Sequence, residues 1–347
     1  MRVVHILQSN IYSGAETVVC NIIDFFNTDD SIDMVYVSPK GPISKVLKYK
    51  KIKHYELDDF SQKELKKAIR VLKPDIIHCH DFQASVRVAF LPIRCPIVSH
   101  LHNNPLWIKK LNLKTILYLL CSLRYPYIIG VSESIKDEFF FSKAIKNKYI
   151  VIHNVVDTKR VLTMSNDGFS SDTDLSYVGR LEDPKNPLRF LKIVSLIKSR
   201  YNRNIRAQMI GIGSLKNKCE KYIESKNLHN NVKLLGFQDN PYKFLKNTKI
   251  VIMPSKWEGF GLVAVESLAL GKPVVASSVG GLKDIISEDC GALCYSDDDF
   301  CRKTIELLSS TKIYNTKSTN AKINAIKYSD ITLYKDRLKN LYFKIKH

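Results

Sequence analysis

Two carboxylates eight positions apart, Glu258 and Glu266, bracket Gly259 and Gly261 in the stretch SKWEGFGLVAVESLALGKPVVAS, residues 255–277. A strand-like run, KIVIMPS, leads into this turn and an apolar helical run leads out of it, so the pattern suits a ligand gripped at two points. Free N–H groups of Gly259, Phe260, Gly261 and Leu262 at the mouth of the helix can take anionic oxygens along a favourable dipole. A helix starting near Gly261 carries Glu266 about 7–8 Å along its axis, with its side chain leaning back toward the N-terminus. Glu258 stays at the mouth. The two acids therefore reach different parts of one ligand instead of flanking a single bond, as the acids of a hydrolase do. The competing reading makes Glu258 a helix-start acid favoured by the dipole and Glu266 an exposed helix residue.

Other strand ends supply the opposite charge. Gly179, Arg180, Glu182 and Lys185 follow LSYV, and Gly211 and Gly213 follow AQMI. In a parallel sheet these residues share the carboxyl edge with the 255–262 turn. Two cations, two glycine turns and a helix N-terminus on one edge make a diphosphate site. Charge-assisted hydrogen bonds of roughly 1.5–3 kcal/mol each hold such an anion without a metal.

Metal ligation is otherwise poorly served. The Asp-x-Asp at 172–174 lies in a polar connection, and Asp297, Asp298 and Asp299 read as an acidic turn or helix start; both are expected to be solvated carboxylates. His78, Cys79 and His80 close a strand, with the two imidazoles on one face. No third ligand is evident beside them in the sequence, which points to a structural role or one in lining a cleft. The eight cysteines form no CxxC pair, and a zinc site of Cys290, Cys294 and Cys301 is the weaker alternative to reduced, buried thiols.

The elements that must position these groups are legible as alternating apolar runs. RVVHIL, DMVYVS, DIIHCH, PIVSHLH, YIIGVS and YIVIHN read as buried strands separated by helical segments, and DLSYVGR, IRAQMIGIG, NVKLLGF, KIVIMPS, PVVASS and GALCY repeat the signature. This is an α/β chain with two Rossmann-like, doubly wound domains facing across a cleft. The length of 347 residues suits two cores. The expected boundaries are 1–157, a polar linker at 158–173, a second domain at 174–328, and a C-terminal helix at 329–347 free to cross back to the first. Its apolar stripe is Leu333, Leu338, Leu341, Tyr342 and Ile345.

Fifty-four Lys and Arg against 34 Asp and Glu give a net charge of +20, which favours an anionic partner. The lysines are dispersed and no zinc-finger or RNP-type motif accompanies them, which argues against nucleic acid. The N-terminal apolar run is too short for a signal peptide, so a cytoplasmic chain with reduced thiols is expected. Segment 105–130 is broken by Lys109, Lys110, Lys114 and Arg124, and its uncharged core, Thr115 to Leu123, is too short to span a bilayer. With Trp107, Tyr118 and basic flanks it is either a helix lying on a membrane surface or a core helix.

Taken together, VGRLEDPKNP, GIGS, VKLLGF, MPSKWEGFGLVAVESLALGKPVVAS, the Gly280-Gly281 pair and the earlier SGAE and HNVVD resemble the retaining, nucleotide-sugar-dependent glycosyltransferases of family 4, glycosyl transferases group 1, with GT-B architecture. The resemblance runs from about residue 5 to 295 and is strongest over 176–286. It implies that Arg180 and Lys185 bind the donor diphosphate, Glu266 the ribose and Glu258 the transferred sugar, while Gly259–Leu262 supply backbone donors. Gly14, in SGAE, matches a first loop that closes over the phosphate, and His102 a histidine near the reacting sugar, with His100 its competitor on the same strand face. The implied chemistry is metal-independent and needs no cofactor beyond a UDP- or GDP-linked sugar as substrate. It moves a hexosyl or N-acetylhexosaminyl group to a lipid-linked or oligosaccharide acceptor in bacterial capsule, O-antigen or exopolysaccharide synthesis. Peripheral contact with the anionic inner face of the cell membrane is implied too. A nucleotide-sugar epimerase, a phosphorylase or an inactive scaffold of the same architecture is the alternative.

Overall fold

The computed structural model describes residues 1–168 and 172–346 and divides the chain into two compact units, Met1–Asn154 with Ile331–His347, and Val155–Asp330. Residues 169–171, inside the connection expected at 158–173, and His347, at the end of the expected terminal helix, lie outside the described residues. No helix among the described residues is long and apolar enough to cross a membrane.

The first unit is built on a seven-stranded, fully parallel sheet: β1 (Arg2–Ile6), β2 (Asp33–Pro39), β3 (His54–Leu57), β4 (Ile76–His80), β5 (Ile97–Leu101), β6 (Ile128–Gly130) and β7 (Tyr149–Val151), in the order β3-β2-β1-β4-β5-β6-β7. Central strands β4 and β5 are buried at every position, although they carry His78, His80, Ser99 and His100 among their apolar residues. β3, HYEL, was not among the expected strands: it is half-exposed at the sheet edge and too short and polar to show a pattern. Registers of His5 against His78 and of His80 against His100 bring histidines of three strands side by side.

The helix Ile331–Lys346 completes this unit. It buries Tyr334, Leu338, Leu341 and Tyr342, whereas Leu333, expected in the apolar stripe, is exposed. Tyr342 Oη lies 2.7 Å from His78 Nδ1, and Lys339 reaches Asp29 at 2.7 Å.

The second unit carries a six-stranded parallel sheet: β8 (Thr173–Val178), β9 (Ala207–Ile210), β10 (Val232–Gly236), β11 (Thr248–Met253), β12 (Val274–Ser277) and β13 (Gly291–Cys294), in the order β10-β9-β8-β11-β12-β13. Its core gathers Leu175, Phe190, Val194, Met209, Ile252 and Phe300. The expected linker instead opens with a helix, Thr158–Met164, capped by the Asp157 carboxylate on the Arg160 N–H. Polar composition there reflects a short surface helix, not a free connection. Only one acid of the Asp-x-Asp is solvated as expected: Asp172 is exposed and pairs with Arg206 at the surface, whereas Asp174 is buried at the start of β8 and pairs with Lys249 at 2.8 Å. Asp297 begins a helix capped by Ser296 and is held by Arg189 and Lys192.

Both sheets reverse their winding direction once, between β1 and β4 and between β8 and β11. There, neighbouring loops diverge and leave a crevice at the carboxyl edge. Leu338→Ala, which removes a fully buried side chain from the returning helix, is expected to destabilise the first unit by about 2–5 kcal/mol in denaturant unfolding.

Candidate active site

In the second unit the reversal lies between the loops that leave β8 and β11. The β8 loop carries Gly179, Arg180, Glu182 and the short 3-10 turn Asp183–Lys185; the β11 loop carries Ser255 to Gly261 and ends on the helix Leu262–Ala269. Lys256 N–H donates to the Pro184 carbonyl at 2.8 Å, and Lys256 Nζ reaches Asp183 at 2.5 Å. Lys185 Nζ pairs directly with Glu258 Oε2, which also accepts a long bond from Ser255 Oγ at 3.4 Å. The cation and the acid singled out from different parts of the sequence are thus brought into one ion pair, which sequence reasoning had not foreseen.

Gly261 holds φ = 112°, open to glycine at little strain, and caps the helix so that the N–H groups of its first turn face the crevice. The Gly281 N–H donates to the Glu258 carbonyl at 3.0 Å and ties the next loop to this turn. Arg180 is exposed on the opposite loop. Gly211 and Gly213 lie backbone against backbone on that loop: a Cβ on Gly211 would overlap the Gly179 carbonyl, and one on Gly213 the backbone of Leu181. Glu182 accepts from the Ser214 N–H and hydroxyl, both at 2.7 Å, which hold its carboxyl below the usual range.

Glu266 sits on the inner side of the helix and accepts from Tyr242 Oη at 3.0 Å. Burial pushes its carboxyl up, opposed by the Tyr242 bond and the nearby Arg160 guanidinium. Neither partner was anticipated, because Tyr242 and Arg160 come from helices whose sequences show only ordinary surface composition.

In the first unit the reversal lies between the loops after β1 and β4. Gly14 opens the helix Gly14–Phe25, where a Cβ would meet nothing within 4 Å, and Ser13 Oγ donates to Glu16 Oε2 at 2.6 Å. A cavity of about 670 Å³ occupies this place, lined among others by Gln8, Glu16, His80, Asp81, Asn103 and Trp107. Its wall includes Lys114, Leu117 and Tyr118 from the helix Leu113–Ser122. That helix is neither all core nor all surface: Tyr118 and Cys121 are buried, while Leu113, Ile116 and Leu120 are exposed, as are Leu106, Leu111 and Leu123 beside it.

His102 follows β5 on the same face as His100, His78, His80 and His5. The expectation that His78 and His80 had no third imidazole nearby is wrong. Two groups of three, His5 with His78 and His80, and His80 with His100 and His102, each bring a ring nitrogen from every member within 4.8 Å of the others. The missing information was strand order, since β1 and β5 flank β4 only once the sheet is wound. The rings form two hydrogen-bonded series. His5 Nδ1 meets His80 Nε2 at 3.0 Å and His80 Nδ1 meets His102 Nε2 at 2.8 Å; Tyr342 Oη meets His78 Nδ1, whose Nε2 meets His100 Nδ1 at 3.1 Å. Burial keeps all five neutral, holding His5 and His102 down to about 3. Cys290, Cys294 and Cys301 are free, buried thiols.

Two family models match the chain in succession: "Glycosyltransferase Family 4" over residues 12–160 and "Glycosyl transferases group 1" over residues 165–325. A Methanocaldococcus jannaschii glycosyltransferase, MJ1059, is 28% identical over 75% of this chain and 73% of its own. The N-acetylgalactosamine-N,N'-diacetylbacillosaminyl-diphospho-undecaprenol 4-alpha-N-acetylgalactosaminyltransferase of Campylobacter jejuni is 25% identical over 75% and 71%. The crystal structure of Anabaena HepE in complex with UDP and glucose superposes with a TM-score of 0.84 at 18% identity, covering 99% of this chain and all of that one. The fold is GT-B.

Glu266→Gln is expected to raise the melting temperature at neutral pH, because the folded state raises the acid's pKa and so disfavours its charged form. The unfolded chain ionises at lower pH, so the penalty on the wild type grows as pH rises through the unfolded and then the folded pKa. The gain should shrink toward pH 4, and a constant gain across that range would count against a desolvated carboxylate.

Proposed function

The chain belongs to the family 4, group 1 glycosyltransferases, and on that premise we propose that it moves a sugar, with retention of configuration, from a UDP- or GDP-linked donor to a lipid-linked glycan during surface-polysaccharide synthesis. The observation that carries this reading is the joining of Lys185 and Glu258, from two loops, at the mouth of the helix Leu262–Ala269. In the free protein each neutralises the other. A donor diphosphate arriving there takes Lys185 and Arg180 as counter-charges and the N–H groups of Gly259 to Leu262 as donors, and releases Glu258 toward the sugar hydroxyls. Glu266, oriented by Tyr242, receives the ribose hydroxyls. His102 is the proposed contact to the transferred sugar, and Gly14 leaves room for the donor phosphate to approach the backbone.

In this scheme the bond from the sugar C1 to the diphosphate oxygen breaks and a bond from the acceptor oxygen forms on the same face. The acceptor hydroxyl proton passes to the departing phosphate oxygen. No protein nucleophile is needed, and catalysis is the electrostatic stabilisation of a leaving dianion by groups already in place. No metal is required for that step, since two cations and a helix mouth supply the charge.

The acceptor is assigned to the 670 Å³ cavity of the first unit. Its wall shares the helix Leu113–Ser122 with an exposed apolar row, Leu106, Leu111, Leu113, Ile116, Leu120 and Leu123, flanked by Lys109, Lys110 and Lys114. Apolar side chains beside lysines suit an anionic bilayer surface, on which a lipid-linked acceptor would be held. The name of the Campylobacter relative carries a diphospho-undecaprenol group, which supports that class of acceptor.

Isothermal titration with UDP and GDP, with and without EDTA, is expected to give EDTA-insensitive binding of one of them. Lys185→Ala should weaken it roughly 10- to 100-fold, the value of one charge-assisted bond, in a protein that stays folded although Glu258 loses its ion-pair partner; undiminished binding would remove Lys185 from the site. Gly14→Ala should keep full stability yet lose donor affinity.

Sedimentation with phosphatidylglycerol vesicles is expected to carry the protein down at low salt and to release it as ionic strength rises. Replacing Leu113 and Leu120 by Ser should abolish the association. Equal partitioning of that double variant would exclude this face as the docking surface.

A further inference from the structure

The 670 Å³ cavity of the first unit has on its wall a carboxylate that donor binding does not use. Asp81 lies there, directly after His80, and opens the helix Asp81–Ala89. Alone among the described residues of that wall it has a left-handed backbone, φ = 66°, a region strained for most side chains and tolerated best by Asn and Asp. Hydrogen bonds hold it in place. Its Oδ1 accepts the His102 backbone N–H at 2.9 Å, the Asn103 side chain donates to the same carboxyl group, and its own carbonyl accepts from Ser85 Oγ at 2.8 Å.

Nothing in that set of bonds requires a charge. An asparagine would take the same backbone conformation, and its amide oxygen would accept the same His102 N–H. The acid also lacks a counter-charge. Arg87 and Lys114, the cations on the same wall, have other partners: Arg87 donates to the Phe60 carbonyl at 2.8 Å, and the Lys114 ammonium lies 5.8 Å from the centre of the Trp107 ring. Facing Asp81 are a second acid, Glu16, the neutral imidazoles of His80 and His102, the Asn103 amide and the Tyr118 phenol. Burial, the largest influence, and Glu16 push the Asp81 carboxyl up to about 7, against the pull of the His102 N–H and Asn103.

A partly accessible carboxylate that is anchored on one side and uncompensated on the other is short of hydrogen-bond donors. Ionised, it offers about four lone-pair sites, and the protein's donors to it are the His102 N–H and the Asn103 amide.

We propose that Asp81 binds the acceptor: its carboxylate receives a hydroxyl of an uncharged sugar, and together with Glu16 it turns anionic groups away from the cavity. This rests on the assignment of that cavity to the acceptor. A chain of net charge +20 attracts anions generally, and two acids side by side make this one cavity selective for neutral groups.

The test uses the full-length protein carrying Trp257→Phe, so that Trp107 on the cavity wall is the remaining one of its two tryptophans. Its fluorescence is titrated with the methyl glycosides of glucose, galactose, N-acetylglucosamine and N-acetylgalactosamine and with methyl glucuronide, alone and with UDP or GDP present, between pH 6 and pH 8. At least one neutral glycoside is expected to bind. Because its hydroxyl favours the ionised acid, affinity should rise about 10-fold from pH 6 to pH 8 and level off above, while His80 and His102 stay neutral throughout. Methyl glucuronide should bind at least about 10-fold more weakly than that glycoside, repelled by like charge. Asp81→Asn, which keeps the bond to His102, should stay folded, lose about 10-fold or more of the affinity at pH 8, the value of a charge-assisted hydrogen bond, and lose the pH dependence. Neutral binding indifferent to pH or to Asp81→Asn, or glucuronide binding as tight, would overturn the role given to Asp81 and leave the cavity as the acceptor site. No binding of any neutral glycoside at pH 8 would instead overturn the assignment of the cavity itself.

Discussion

All strands of a parallel sheet end on one edge, and a sheet that winds in both directions must leave one gap in the loops along that edge. Everything chemical in this protein gathers at two such gaps. Between β8 and β11 it is the Lys185–Glu258 pair, the Gly261 cap and Glu266; between β1 and β4 it is Gly14, Glu16, His80 and Asp81. The glycines at 211 and 213 serve the same constraint from the side, because only bare backbone lets the β9 loop lie against the loop that carries Arg180.

The second unit was the more legible of the two. Its strands keep apolar stretches such as IVIM and VVA, and those of β8 and β11 are followed within a few residues by glycine and charge, so Gly179, Arg180, Lys185, Glu258 and Glu266 could be placed on strand ends and a helix mouth by pattern alone. What pattern could not supply were contacts between segments distant in sequence. The ion pair across 73 positions is one such contact, and the bond from Tyr242 to Glu266 is another. Polar composition also misled: 158–173 was read as a linker because Thr, Lys, Ser and Asp dominate it, yet Thr158–Met164 is helical and Asp174 is a buried partner of Lys249.

In the first unit the misreading was of a different kind. His78 and His80 were correctly placed on one face of a strand, but their neighbours His5, His100 and His102 depended on strand order and register, which local periodicity does not encode. A buried histidine looks anomalous only until its partners are found. Here each ring is spoken for by another ring or by Tyr342, and the tract is a polar layer inside an otherwise apolar sheet, satisfied except at its ends. Such a layer tolerates few alternative packings, because moving one ring breaks a bond to the next.

The helix that supplies Tyr342 is the last element of the chain, whereas the strands it covers are among the first. During synthesis, residues 331–347 must be made before His78 acquires its phenolic partner and the faces that Leu338 and Leu341 cover are closed. Residues 155–330 are a continuous stretch, made before that segment. The order in which the units can be completed is therefore inverted relative to the order in which they are begun: the unit begun second has all its residues first, and the unit begun first waits for residues 331–347.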